Sequence, residues 1–482
     1  MLGIDKALGR VWIIALLLAL ALLANVTYVQ GFQAQALRDD PNNARQFAGR
    51  TTLDRGPITA GGERLAYSVK VGDKRYQRKY VDSAVFSPIT GYFSLYSQSG
   101  VEGAENRILD GTDARLATTS LVDRLLGHHV PGGTVETTID PRAQRAAYAA
   151  LRASGARRAA AVVIDASTGA IRTLASYPSF DANDVSTLNA KQADQAFRRL
   201  NAAPLKPMLD KATGEVFPPG STFKTIVSAA DLAGGATTAT QVGTGRSYRP
   251  PGAGQPINND EGDIGGLCDR PAIPLLDAYA QSCNTTFARM GAESPGNGAI
   301  ADQAAKYGFY QRIDIEKGMS AAPSSFPRTD QPSLSALGSI GQGSTVATPL
   351  QMALVAAATI NDGEVMQPYL VDKLRGGDGS TVESARPHRM ARPLTSDQAD
   401  AMRAMMREVV RTGTGKQLQG SRVGGGKTGT ADIDGVAYND RWFIGFESGS
   451  RPKYAVAVMT EADGYGLESG KIAARVLASL KD

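Results

Sequence analysis

The sequence predicts one large α/β domain, residues 136–482, behind a small strand-rich module, residues 31–135, and an apolar N-terminal helix. Three observations carry this. Strand-like runs occur at both ends of the long C-terminal segment: "AAAVVIDASTGAIRTLASYP" at 159–178, then "GGKTGTA", "RWFIGFESG" and "KYAVAVMTEA" from 425 onward. An alanine-rich, mostly helical stretch, about 185–415, separates them, so distant segments must meet in one sheet. Residues 11–29, "VWIIALLLALALLANVTYV", hold one strongly polar member, Asn25.

That apolar run is about the length a helix needs to cross a hydrocarbon core. A membrane anchor and a cleaved signal peptide both fit it, though the apolar region of a signal peptide is usually shorter. Lys6 and Arg10 precede the run. As an anchor it holds residues 1–10 in the cytoplasm and sends residues 31–482 across the membrane. That compartment tolerates disulfides, and Cys268 and Cys283 are the two cysteines. A bridge and two buried thiols are both open.

Composition narrows the chemistry. With 482 residues and 42% hydrophobic content the chain has material for a large core. The net charge of +5 comes with no dense Lys/Arg stripe, so nucleic acid is not an expected partner. The three histidines are His128, His129 and His388. Cys/His zinc sites are thereby almost excluded, and a Ser-His-Asp triad has few candidates.

Within 31–135, "GRTTLDRGPITAGGERLAYSV" and "KRYQRKYVDSAVFSPITGYFSLYSQSG" mix short β-favouring runs with Gly, Asp and Ser breaks. "VPGGTVETTID", 130–140, reads as the boundary. Pro141 opens a helix that Gly155 ends. Asp165-Ala-Ser-Thr-Gly169 is a turn between two strands, and "GLESGKIAARVLASLKD" is a closing helix.

The chemistry centres on "PPGSTFK", 218–224. Pro219 and Gly220 break the preceding segment, so a helix starts at or near Ser221. Residues three apart share a helical face, which brings the Lys224 amine to the Ser221 hydroxyl. Ser221 is therefore either a helix cap or a nucleophile whose base is Lys224. The second role needs a neutral amine, made so by burial or a neighbouring cation. Ser450-Arg-Pro-Lys453 matches the same spacing, but Pro452 sits inside it, in a turn between strands. Ser282-Cys283-Asn284 follows the helix "LLDAYAQ", and a serine and an amide spaced by one can face one cavity. Lys427-Thr428-Gly429-Thr430 opens a strand in which Lys427 and Gly429 share a face, an edge against which a ligand backbone could lie.

S-x-x-K, S-x-N and K-T-G in that order form the set used by active-site serine penicillin-binding proteins and β-lactamases. The chain resembles class B penicillin-binding proteins, and among them the short actinobacterial penicillin-binding protein A type. The resemblance covers nearly everything after the anchor. It includes "TLASYPSFDAN", "SCNTTFARMG", "SIGQGSTVATPLQMALVAAATINDG" and "RWFIGF", and "RGPI" and "GYFSLYSQSGVEGAENRILDG" in the pedestal.

The resemblance implies an antiparallel sheet with helices on both faces, and a D,D-transpeptidase without cofactor or metal. Ser221 would attack the penultimate D-alanine carbonyl of a peptidoglycan stem peptide ending in D-Ala-D-Ala, with Lys224 as its base. Ser282 would relay the proton to the leaving amine and Asn284 would bind the substrate amide. Lys427 would help keep Lys224 neutral and bind the substrate carboxylate with Thr428 or Thr430, beside Gly429. The amides of Ser221 and Thr430 would form the oxyanion hole. A diaminopimelate amine would be the acceptor, β-lactams would acylate Ser221, and a polytopic membrane polymerase would supply the glycan.

The rivals share the serine chemistry. A D,D-carboxypeptidase uses water as acceptor, and residues alone do not separate it. A β-lactamase needs a deacylating base. Glu293-Ser-Pro-Gly-Asn297 has one such spacing, yet it reads as the turn after the S-x-N helix. A β-lactam sensor would need more than ten residues before the span. "RTGTGKQ", 411–417, lacks the residues of a phosphate loop and reads as a helix end.

Overall fold

The computed structural model describes residues 2–29, 33, 49–73, 75–116, 132–260, 266–432 and 435–481. Parts of the expected pedestal, including His128 and His129, lie outside these. Helix α1 spans Leu2–Tyr28, and its window Val11–Tyr28 has mean hydropathy 2.3 and is exposed along its length. It is the one helix among the described residues long and apolar enough to cross a membrane.

The strands that organise the rest are β1 (Ile58–Ala60), β2 (Glu63–Gly72), β3 (Arg75–Tyr80), β4 (Thr134–Thr137), β5 (Ala159–Asp165), β6 (Ile171–Tyr177), β7 (Val371–Arg375), β8 (Thr381–Ser384), β9 (Val423–Asp432), β10 (Asn439–Glu447) and β11 (Tyr454–Ala462). They form two main sheets. The first runs β8-β7-β4-β1-β2-β3 and the second β9-β10-β11-β5-β6.

The first sheet is the pedestal, and it differs from the sequence reading in two ways. "SAVFSPIT" reads as β-favouring, yet Ser83–Thr90 is helix α2 with Pro88 inside it. Proline has no N–H to offer the Ala84 carbonyl one turn back. That carbonyl instead accepts from Ser179 Oγ, and the next, Val85 O, accepts from Gln144 Nε2 at 2.9 Å. Partners remote in sequence thus make the helix possible. Second, hairpin β7–β8 belongs by position to the large domain but completes the pedestal sheet, with β7 antiparallel to β4. The pedestal core also buries an ion triad, Glu102 taking Arg55 at 2.8 Å and Arg78 at 2.5 Å. Burial pushes Glu102 up, but the two guanidiniums, Arg78 first, more than offset this and hold it below its ordinary range.

Helix α3, Pro141–Ala153, starts as its sequence demands. Asp140 caps the amides of Arg142 and Ala143, Pro141 occupies the first turn, and Gly155 follows at φ 69°. Between the two groups of strands the helices that position the site are α4 (Lys224–Ala233), α5 (Leu275–Gln281), α6 (Asn284–Ala292), α7 (Pro349–Ile360) and α8 (Ser396–Arg411), and α9 (Leu467–Ser479) closes the chain.

The second sheet is antiparallel throughout, and both of its faces are covered. On β5, Ala160, Val162 and Ile164 face a core shared with α7 and α8, while Ala161 and Val163 face one shared with α3 and α9. A strand buried on both sides reads as a continuous apolar run, which is why "AAAVVID" shows no alternation. Hairpin β5–β6 turns at Asp165–Gly169, with Gly169 at φ 86°. Ser450–Lys453 is the turn between β10 and β11.

Candidate active site

The site lies where the edge strand β9 meets the start of α4. Residues Gly220–Phe223 form a 3₁₀ turn that runs directly into α4 at Lys224. In a 3₁₀ turn residues three apart eclipse, so Ser221 and Lys224 lie on one side. Pro219 occupies the cap position and no side chain caps either segment. Ser221 is therefore not a cap.

The turn is clamped from three directions. Trp442 Nε1 donates to Pro218 O at 2.8 Å from β10. Gly220 N donates to Gly341 O at 3.0 Å, and Phe217 pairs with Ala347. Gly220 adopts φ 52°, and a Cβ there would lie 2.6 Å from Thr430 O and 3.0 Å from Thr430 N. A Cβ on Gly429 would lie 2.8 Å from Pro219 O and 3.0 Å from Thr222 N. The bare backbone at Gly429 thus admits the nucleophile turn, and the segments carrying the Ser221 and Thr430 amides touch.

Helices α5 and α6 bring the second motif. Ser282 ends α5 in the left-handed region, φ 64° and ψ 37°, a conformation rare for a residue with a side chain. It turns the chain so that Lys224 Nζ meets Ser282 O at 2.7 Å, Ser282 Oγ at 3.1 Å and Asn284 Oδ1 at 2.6 Å. Between them Cys283 points away, into a disulfide with Cys268 whose Cα atoms are 5.4 Å apart. The bridge ties the start of α6 to the loop before α5. Asn284 Nδ2 donates to Asn258 O at 3.1 Å and Asp260 Oδ1 at 3.3 Å, two acceptors that fix the orientation of the amide.

Lys224 and Lys427 are both fully buried. Burial brings Lys224 down to about 7, with the Asp260 charge pulling the other way. Lys427 is pushed well below its usual range, first by burial and then by the Lys224 charge. Burial is what makes a neutral Lys224 accessible. Lys427 Nζ donates to Thr428 O at 3.0 Å and lies 5.8 Å from the centre of the Tyr279 ring. Among the described residues Ser221 Oγ makes no hydrogen bond to Lys224, whose donors go to Ser282 and Asn284; such contacts often tighten only with substrate present.

Thr428 Oγ1 shares a 2.6 Å hydrogen bond with Thr414 Oγ1, and Thr430 Oγ1 accepts from Gly466 N at 3.2 Å. Thr414 lies in "RTGTGKQ", just past the end of α8 at Arg411, and sequence reasoning gave it no role. Trp442, Gly341, Asn258 and Asp260 were missed too. Their contacts are set by folding, and an Asn-Asn-Asp run reads only as loop composition. Glu293 is held by Tyr248 Oη at 2.9 Å and Arg289 Nη1 at 3.2 Å, at the end of α6.

A turn-borne serine, a buried lysine sharing a serine and an amide, and a second lysine on an edge strand beside the turn define a class: serine acyl-transfer enzymes of the penicillin-recognising fold. The model of the penicillin-binding protein transpeptidase domain matches residues 159–481, and that of the penicillin-binding protein A dimerisation domain matches residues 55–135. The chain belongs to the penicillin-binding protein transpeptidase family, in its class B. It is similar to the peptidoglycan D,D-transpeptidase PbpA of Mycolicibacterium smegmatis, 37% identical over 98% of this chain and 97% of that one. The Mycobacterium tuberculosis PbpA is 35% identical with the same coverage. Among solved structures, M. tuberculosis penicillin-binding protein A as a ceftriaxone acyl-enzyme superposes with TM-score 0.83 at 33% identity, covering 90% of this chain and all of that one. Its penicillin G acyl-enzyme gives 0.82 at 34%, covering 89% and 99%.

Proposed function

We infer that this chain is a peptidoglycan D,D-transpeptidase of cell-wall synthesis that β-lactams acylate. The observation that carries the reading is the buried Lys224 amine, set beside the Ser221 turn and bonded to Ser282 and Asn284.

In this reading Ser221 Oγ attacks the carbonyl of the penultimate D-alanine while Lys224, as the neutral amine, takes the hydroxyl proton. The oxyanion is met by the amides of Ser221 and Thr430, each worth about 3 kcal/mol. The C–N bond breaks, and the proton passes through Ser282 to the departing D-alanine. The amine of a neighbouring stem peptide then attacks the acyl-enzyme and frees Ser221. The substrate carboxylate is taken by Lys427 with Thr428 and Thr430, while Asn284 holds the substrate amide. Thr430 accepts from Gly466, so its own hydroxyl proton is free to donate to that carboxylate.

Glu293 is occupied by Tyr248 and Arg289, which speaks against a deacylating base there and for transfer over β-lactam hydrolysis. Residues 1–10 form a cytoplasmic tail, 11–29 the anchor, 31–135 the pedestal and 136–482 the catalytic domain beyond the membrane. Lys6 and Arg10 support that sidedness. A polytopic polymerase is the expected source of glycan, met through the anchor and pedestal.

Intact-mass spectrometry after mixing with benzylpenicillin tests the reading. One intact penicillin adduct lasting many minutes, absent in Ser221→Ala, is expected. Rapid loss of the adduct with drug turnover would make the protein a β-lactamase, and no adduct at all would remove Ser221 as the nucleophile.

A further inference from the structure

The geometry points to Asp260 as the residue that receives the ammonium group of the acceptor peptide as it enters the cleft. The inference rests on the transpeptidase reading and names a specificity residue for its second half-reaction, which no motif includes.

Asp260 follows the short strand Ile257–Asn258, which lies against α6. Its carboxylate is exposed, and among the described residues it accepts one hydrogen bond, from Asn284 Nδ2 at 3.3 Å. It forms no ion pair with any described residue. Asn284 reaches Lys224 with its other end at 2.6 Å, so a single amide separates Asp260 from the catalytic amine. Among the described residues it is also the one carboxylate whose charge acts on either buried lysine.

These facts combine at one stage of the reaction. While the donor is bound, its terminal carboxylate offsets the lysines. Once D-alanine has left, that negative charge is gone, and both lysines are held toward their neutral forms by burial. Among the described residues Asp260 is then the carboxylate beside Asn284, exposed to solvent. The incoming nucleophile must be an amine, which in water arrives as an ammonium. A carboxylate one amide away from the reacting centre attracts that species and not water or an alcohol. An exposed pair of this kind contributes modestly, so the effect belongs in acceptor KM and not in the chemical step.

The test uses the full chain in detergent with a D-alanyl thioester donor. The acyl-enzyme is partitioned between water, D-alaninamide as an amine acceptor without a carboxylate, and methanol as uncharged acceptor. Partition is decided after acylation, so any change in acylation rate drops out. In Asp260→Asn the KM for the amine should rise about three- to five-fold relative to any change in methanolysis, and Asp260→Glu should recover most of that difference. An unchanged amine KM overturns the inference. So does a parallel fall in amine and methanol transfer, which would mean that Asp260 only orients Asn284. If the wild-type chain transfers to no amine at all, the transpeptidase reading falls first and takes this inference with it.

Discussion

A lysine works as a base only if it can lose its proton near neutral pH, and Lys224 gains that ability by being buried. Its folded-state value of about 7 sets a sign. Below that pH the amine is protonated and inert, so acylation by benzylpenicillin should rise up to about ten-fold per unit toward pH 7 and level off above it. A rate constant flat from pH 5 to 9 would mean that another group takes the Ser221 proton. The same burial has a stability consequence. The unfolded lysine keeps its proton up to about 10.4, so the unfolded state binds more protons between 7 and 10.4. The burial cost is therefore fully present below pH 7 and fades as pH rises through that window. The residue types at Ser221, Lys224, Ser282, Asn284 and Lys427 were legible in the sequence because their spacing is local. The depth of burial that tunes Lys224 was not, since it comes from segments far along the chain.

At the scale of elements, the site is a contact between a 3₁₀ turn and an edge strand with nothing between them. Gly429 is the strand's glycine at that contact, facing Pro219 and Thr222. Gly429→Ala places a methyl 2.8 Å from Pro219 O and 3.0 Å from Thr222 N, both backbone atoms. Backbone on both sides cannot yield cheaply, so the turn should shift and acylation should fall by about a hundred-fold, the usual scale for a misplaced reacting group. The check is the benzylpenicillin acylation rate of the variant together with its melting temperature. Wild-type acylation would show that the turn tolerates displacement. The sequence reading placed Gly429 on one face with Lys427, on an edge against which a ligand backbone could lie, and the structure adds that the nucleophile's own turn packs against Gly429. Ser221 presented a similar ambiguity. Its neighbours Pro219 and Gly220 marked a helix start, but only the assigned cap positions removed the capping role.

Across the whole molecule, hairpin β7–β8 joins the two halves. It leaves the catalytic part at residues 371–384 and finishes the pedestal sheet beside β4. The two domains therefore share a sheet, and a cut at residue 136 removes half of β4, the strand that covers β7. Residues 136–482 produced alone should show lower soluble yield and a lower melting temperature than residues 49–482, because β7 then presents an unpaired edge. Equal yield and equal melting temperature would show that the hairpin is stable without β4.

What the sequence determined by itself is whatever depends on near neighbours: the apolar span, the caps of α3, the β5–β6 turn, and the order and spacing of three motifs. Tertiary structure alone decided that Pro88 lies within a helix, because Ser179 supplies what proline withholds. It also decided that residues 371–384 join the pedestal, that Cys268 meets Cys283, and that Asp260 reaches Asn284. Each of these is a contact between distant segments. Periodicity and spacing record which face a residue presents, but not which remote partner will be packed against it.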